Sequence, residues 1–383
     1  MHEIPAGLSD NEAGTSIIIG KNGSGKSNLL NTLAKLHTSS GRNVIGIASS
    51  IYDKFNLRSK KFHLLGARHG KNSPKKTIKK AIENTSGTDP IQIKRISQIL
   101  KYVGYSGEIG IRLSGVNTTA LQDLHEAEYL STHVKNDIES LIKKYLSMAK
   151  RSRLIDSDTL WLETEEVSFD RINKSTFPRL LAHEPQLKEI GFLKSVDIFL
   201  RKNGNVIPLS HASSGELSFI TSMIYLSTAI DEETVILIDE PENSLHPSWQ
   251  KEYLEKILDL FYLYEPKIII ATHSPLIVSG ATSTEKSITI FKSENSIIDK
   301  IDHKSNNLES LLWSLFGVAT PESNYVSSFF VRTLNDLSEN KISINEVLKI
   351  VSHFEESSYD QKQKETLAGV REIANKIESR KEQ

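Results

Sequence analysis

A β-branched run, Thr15 to Ile19, ends in Gly20-Lys21-Asn22-Gly23-Ser24-Gly25-Lys26-Ser27 and passes directly into helix-forming residues from Asn28. Strand, glycine-rich loop and helix in this order form the Walker A arrangement. The glycines let the backbone bend so that several N–H groups face one anion. The helix adds the positive end of its dipole. Lys26 has the reach for the β- and γ-phosphates of a nucleotide, and the Ser27 hydroxyl can ligate Mg²⁺. The segment therefore predicts an α/β fold with a parallel sheet and an ATP site at residues 20–28.

The chain has 383 residues, a formal net charge of −1 and no cysteine. A nearly neutral chain has no global field drawing it to nucleic acid or membrane, so either contact needs a local patch. Lack of cysteine excludes disulfides and thiolate metal sites and fits a reducing compartment. No apolar run reaches bilayer length, and the N-terminus lacks a basic region followed by an apolar one. The expectation is a cytoplasmic protein with no membrane contact.

Residues 1–90 read as a first ATPase lobe. Leu29, Leu30, Leu33 and Leu36 lie on one helical face, expected to pack on the sheet. Val44 to Ala48 is a second buried strand. Residues 54–80 carry ten Lys and Arg and no acid. Arg58, Lys60, Lys61, Lys75, Lys76, Lys79 and Lys80 are candidate contacts for DNA or RNA phosphates, with Phe55, Phe62 and His63 as stacking groups. A solvated loop accounts for the same charges.

Residues 91–205 read as a mainly helical insertion. Leu130, Val134, Ile138, Leu141 and Tyr145 form one short apolar stripe, too brief for a coiled-coil arm. Strands are expected at 160–169, 192–200 and 206–209. A second lobe, 206–304, then brings a new set of signals. Ser213-Ser214-Gly215-Glu216 opens a long apolar helix, so it offers a second anion-facing helix end. Val235 to Asp239 is a buried strand ending in Asp239-Glu240, the Walker B pattern. Asp239 suits a Mg²⁺ shell, and Glu240 suits a base or water-orienting group. His273 follows another buried strand, Lys267 to Ala271, at the end where α/β sheets place ligand chemistry. Lys286–Phe291 and Ile297–Ile301 suggest a closing hairpin. Residues 305–383 read as a helical tail. One amphipathic helix is expected around Leu308, Leu311, Leu312 and Leu315, with two more at 342–354 and 362–377.

Taken together, Gly20–Ser27, Ala212–Glu216, Asp239–Glu240, Asn243–His246 and His273 resemble the Walker A, signature, Walker B, D-loop and H-loop of ABC-type ATPases. The ending Gly215-Glu216 and the run Asp239-Glu-Pro-Glu-Asn-Ser-Leu-His-Pro247 resemble the RecF, recombination-repair and overcoming-lysogenization-defect-like group. The plan is similar to the ATPase subunits of Septu, retron-linked and PARIS anti-phage systems, which work with a separate nuclease. The resemblance implies an ATPase with ATP and Mg²⁺ as cofactors. It assigns catalytic roles to Glu240, Lys26 and His273, metal binding to Ser27 and Asp239, and nucleotide contacts to Gly20–Asn28 and Ser213–Glu216. It implies a homodimer, or a larger oligomer, closed around ATP, with Ser213–Glu216 of one copy facing Lys26 of the other. A separate nuclease or toxin is the implied effector; DNA repair through the 54–80 patch is the alternative. A transporter subunit fits less well, because the signature ends in Glu. The glutamine usual after the second strand is missing; Asp53 is the substitute considered.

Overall fold

The computed structural model describes residues 4–10, 12–66, 73–84, 90–151, 159–162, 178–284, 287–294, 297–301, 311–312, 315–316, 324–356 and 361–381. Its main sheet has seven strands in the order β11-β10-β1-β9-β8-β2-β3. They are β1 Gly14–Ile19, β2 Val44–Ala48, β3 Phe62–Gly66, β8 Val235–Asp239, β9 Lys267–Thr272, β10 Ile288–Glu294 and β11 Ile297–Ile301. Every pair is parallel except the β10–β11 hairpin. Parallel strands covered on both faces read as continuous apolar runs, and alternate residues here serve two cores. Ile17, Ile19, Ile236, Ile238, Ile268 and Ile270 face one core. Ile18, Val235, Leu237, Ile269 and Ala271 face the other, with Leu29, Leu30 and Leu33 of the phosphate-loop helix, Lys26–Ser39. Leu36 does not join them: it is 37% exposed, and Ala34 and His37 are buried instead.

The segment before β1 is fastened to the end of the sheet opposite the phosphate loop. The buried Lys267 ammonium pairs with Asp10 at 2.5 Å and donates to the Gly7 and Glu12 carbonyls. The His37 ring contacts the Leu8 carbonyl at 3.0 Å.

Between β3 and β8 in sequence the chain forms a second, antiparallel sheet in the order β5-β4-β6-β7. Its strands are β4 Ile109–Ser114, β5 Leu160–Leu162, β6 Ser195–Lys202 and β7 Asn205–Pro208. The expected mainly helical insertion is therefore mixed. β4 is six residues long and lies between Gly104 and Gly115, both with positive φ, so its alternation is too brief to stand out. The expected strand 160–169 is a strand at Leu160–Leu162, and its remainder lies outside the described residues. β3 also departs from expectation, turning part of the basic stretch into an edge strand. The tail helices Asn324–Ser338, Ile344–Glu356 and Gln361–Lys381 pack on a core of their own around Phe330, Val351, Phe354 and Leu367. Leu308 lies outside the described residues; Leu311 and Leu315 are buried in the main core. Among the described residues no helix is long and apolar enough to cross a membrane.

Candidate nucleotide site

Two loops that start 220 positions apart, after Ile19 and after Asp239, meet at the ends of the central strands. The first follows β1. Gly25, in the left-handed region at φ 101°, turns the chain into the phosphate-loop helix. Gly20 is confined for a different reason: a Cβ there would sit 2.5 Å from the Ser293 carbonyl oxygen. Ser293 in turn donates to the Ser24 carbonyl at 2.8 Å, so β10 braces the loop. The Lys26 side chain is buried and folds back over the loop, donating to the Gly20 carbonyl at 2.8 Å and to that of Lys21 at 3.2 Å. Burial lowers its pKa, partly offset by Glu240, Asp239 and Glu242. Lys21, Asn22, Gly23 and Asn28 are exposed around this cradle, while the Ser24 hydroxyl is buried without a hydrogen-bond partner.

The second loop follows β8. Ser27 Oγ donates to Asp239 Oδ1 at 3.1 Å, joining the two motifs. Burial raises the Asp239 carboxyl to about 6, with Glu240 and Asp53 adding negative charge and Ser27 and Lys26 opposing. A hydroxyl and a buried carboxylate side by side match the hard oxygen set that Mg²⁺ takes. A divalent cation there would relieve the clustered acids. Lys26 and the orphaned Ser24 hydroxyl likewise fit a polyphosphate. Glu240 takes φ 50°, and its N–H donates to the Ala271 carbonyl on β9 at 2.9 Å. A non-glycine residue in that region costs of order 1–3 kcal/mol and tends to mark a functional position. Asn243 Nδ2 donates to Glu240 Oε2 at 3.2 Å.

His273 comes to the same place. Its ring Nδ1 lies 3.0 Å from Glu242 Oε1 and 3.8 Å from Glu240 Oε1. Glu242 is the residue that sequence reasoning left without a role. Its buried carboxylate accepts from Thr272 Oγ1 at 2.8 Å and from the His273 N–H at 2.7 Å. It thus locks the strand end that carries His273 to the strand end that carries Glu240. The available signal was a second acid two residues past Asp239-Glu240, just after Pro241.

Ser213–Glu216 stands apart from this cluster. Ser213 caps the helix Ser214–Ala229 through a full capping box with Glu216. Ser213 and Ser214 are exposed, and Gly215 is buried against the Ser244 carbonyl, 2.3 Å from where a Cβ would lie. Glu216 is among the expected nucleotide contacts. Its carboxylate is taken up by Ser213 N–H, Lys202 and Tyr105, all within its own chain. Burial works against ionisation, yet these hydrogen bonds hold its pKa below the usual range.

The basic stretch does not form one patch. Lys75 pairs with Asp197 at 2.6 Å and Lys79 with Glu184 at 2.5 Å, tying the helix Ser73–Asn84 to the insertion. Lys60, Lys61 and Lys80 line a cleft of about 520 Å³ with Arg42 and His63, but Asp231, Glu232 and Glu233 line it too. Lys61 also donates to the Gly41 carbonyl. Arg58 and Lys76 are exposed. Phe55 and Phe62 are buried against each other at 5.7 Å, so neither is a stacking group for bases. Arg68 and Lys71 lie outside the described residues. Asp53 accepts from the Phe55 N–H at 3.1 Å and adds its charge to the field at Asp239.

The strand order and the paired loops describe a P-loop ATPase head, a nucleotide-binding fold. A stretch of 179 residues is 27% identical to the "Retron Vc95 probable ATPase" of Vibrio cholerae serotype O1 biovar El Tor, covering 42% of this chain and 32% of that protein. Another, of 125 residues, is 31% identical to "Septu protein PtuA" of Bacillus mycoides (strain KBAB4), covering 30% and 17%. The chain thus spans a third or less of the length of these relatives. A nucleotide-free ATP-binding cassette from an ABC transporter is 12% identical over 79% of this chain and 84% of that one, with a TM-score of 0.28. Residues 16–279, from β1 through the helix after His273, match the family described as "AAA domain, putative AbiEii toxin, Type IV TA system", and the chain belongs to it.

Proposed function

We propose that this chain is an ATP-hydrolysing switch of anti-phage defence whose two copies close around ATP and thereby control a partner nuclease or toxin. The observation that supports the ATPase reading best is the 3.1 Å contact between Ser27 and Asp239, with Glu240 next in line and His273 beside it. Lys26 and the phosphate-loop N–H groups bind the β- and γ-phosphates. Mg²⁺, when bound by Ser27 and Asp239, neutralises charge on the transferring phosphoryl group. Glu240 orients a water against the γ-phosphorus and takes its proton as the bond to the bridging oxygen breaks, leaving ADP and phosphate. His273, carried on Glu242, reaches toward the γ-phosphate. Ser213, Ser214 and Gly215 of the second copy bring a helix N-terminus to the same phosphate.

The defence role rests on the likeness to the retron and Septu proteins. Direct action on DNA through residues 54–80 has less support, because Lys75 and Lys79 are already paired. The test is Glu240→Gln beside Lys26→Ala. Glu240→Gln is expected to retain nucleotide, lose at least about 100-fold in turnover and elute as a dimer with ATP and Mg²⁺. Lys26→Ala is expected to lose nucleotide binding. A Glu240→Gln protein that stays monomeric removes the clamp; one that keeps full turnover removes the assigned base. Purifying Glu240→Gln with its native gene neighbours tests the effector, and recovery of nucleic acid alone would favour the repair alternative.

A further inference from the structure

We infer that the insertion sets the position of the signature turn through a clamp on Glu216, with Lys202 and Tyr105 as positioning residues. This rests on the reading of Ser213–Gly215 as the surface offered to ATP across a dimer. A capping box needs one carboxylate contact, to the N-cap N–H. Glu216 makes that contact at 2.8 Å through Oε2. It also accepts from Tyr105 Oη at 2.9 Å and, through Oε1, from Lys202 Nζ at 2.6 Å. Neither extra donor is needed to end a helix. Both come from the insertion. Lys202 closes β6, and Tyr105 sits just before the adjacent β4. The two donors are themselves coupled, since the Lys202 ammonium lies 4.9 Å from the Tyr105 ring centroid.

The contacts continue in the other direction. Gly215 leaves no room between the signature turn and Ser244. Ser244 follows Asn243, whose amide holds Glu240. A shift of β4 and β6 therefore has an unbroken route of contact to the signature turn and to Glu240. The same β6 carries Asp197, which receives Lys75 and two serine hydroxyls at its other end. The sheet is thus tied to the ATPase at both ends of one strand.

The test compares Lys202→Met with Tyr105→Phe, Lys202→Arg alone, and the parent. Turnover is measured in the wild-type background and ATP-dependent dimerisation in Glu240→Gln. The double variant is expected to lose about tenfold in kcat and a similar factor in dimer affinity, within the usual range of coupling between sites. Its nucleotide Kd as a protomer is expected to stay within about twofold, because the phosphate loop is untouched. Lys202→Arg keeps the charge and the Tyr105 hydroxyl, and is expected to stay within about threefold of the parent in both. A double variant matching the parent in kcat and dimerisation overturns the inference. So does a Lys202→Arg protein as impaired as the double variant, or a loss accompanied by an equal loss of protomer nucleotide binding. If the Glu240→Gln parent itself fails to dimerise, the dimer reading falls, and the kcat comparison still decides the clamp.

Discussion

Asp239 illustrates how a site conflicts with the stability of the fold around it. Its carboxyl titrates at about 6, against 3.8 in the open chain, because burial disfavours the charge. The folded protein therefore binds the proton more tightly than the unfolded chain does. The sign follows: this group's contribution to stability is complete below the unfolded value and is lost as pH rises through about 6. Nucleotide-free Asp239→Asn is expected to be more stable than the parent at pH 7.5, by roughly 1–3 kcal/mol, in urea unfolding. The gain should vanish near pH 4, and Mg²⁺-dependent turnover should be lost throughout. Lys26, Ser27, Asp239 and Glu240 were legible as single residues because each belongs to a spaced motif. Glu242 was not, because its role depends on Thr272 and His273, which approach it only in the folded chain.

At the scale of elements, legibility followed burial. β1, β8 and β9 are covered on both faces and read as apolar runs. β3 sits at a sheet edge within the basic stretch and β4 lies between two glycines, so neither reads as a continuous apolar run. The 54–80 stretch shows the converse error. Charge composition suggested a single ligand surface, but helical geometry sends Lys75 and Lys79 toward the insertion and Lys76 and Lys80 outward. Helix packing was not legible at all. Gly280 lets the helix Pro275–Thr282 lie directly on Pro247–Phe261; a Cβ there would fall 1.7 Å from the Lys251 carbonyl oxygen. Gly280→Ala must part the two helices, at a cost of roughly 1–3 kcal/mol or more. A lowered urea midpoint with unchanged slope checks this. Because His273 lies just before the displaced helix, its turnover should fall as well.

At the scale of the whole molecule, the helices of 324–381 close around a core of their own, which among the described residues draws only on the tail. Val351, fully buried in the tail core, is a clean probe. Val351→Asp places an unpaired charge there and should unfold that unit. Hydrogen exchange is expected to lose protection over 324–381 alone, with nucleotide affinity unchanged; a loss that spreads into β1 or β8 would show one cooperative unit instead. The main sheet behaves differently. β1 has β9 and β10 as its neighbours, and β2 lies between β3 and β8. The strand carrying the phosphate loop therefore has no partner until a chain leaving the ribosome has exposed residues beyond 267. Until then its apolar residues and unpaired backbone stay open to other contacts, while the insertion sheet, β4 to β7, can already close on itself. A translation product that ends before residue 267 thus carries the whole insertion sheet but leaves the phosphate-loop strand unpaired.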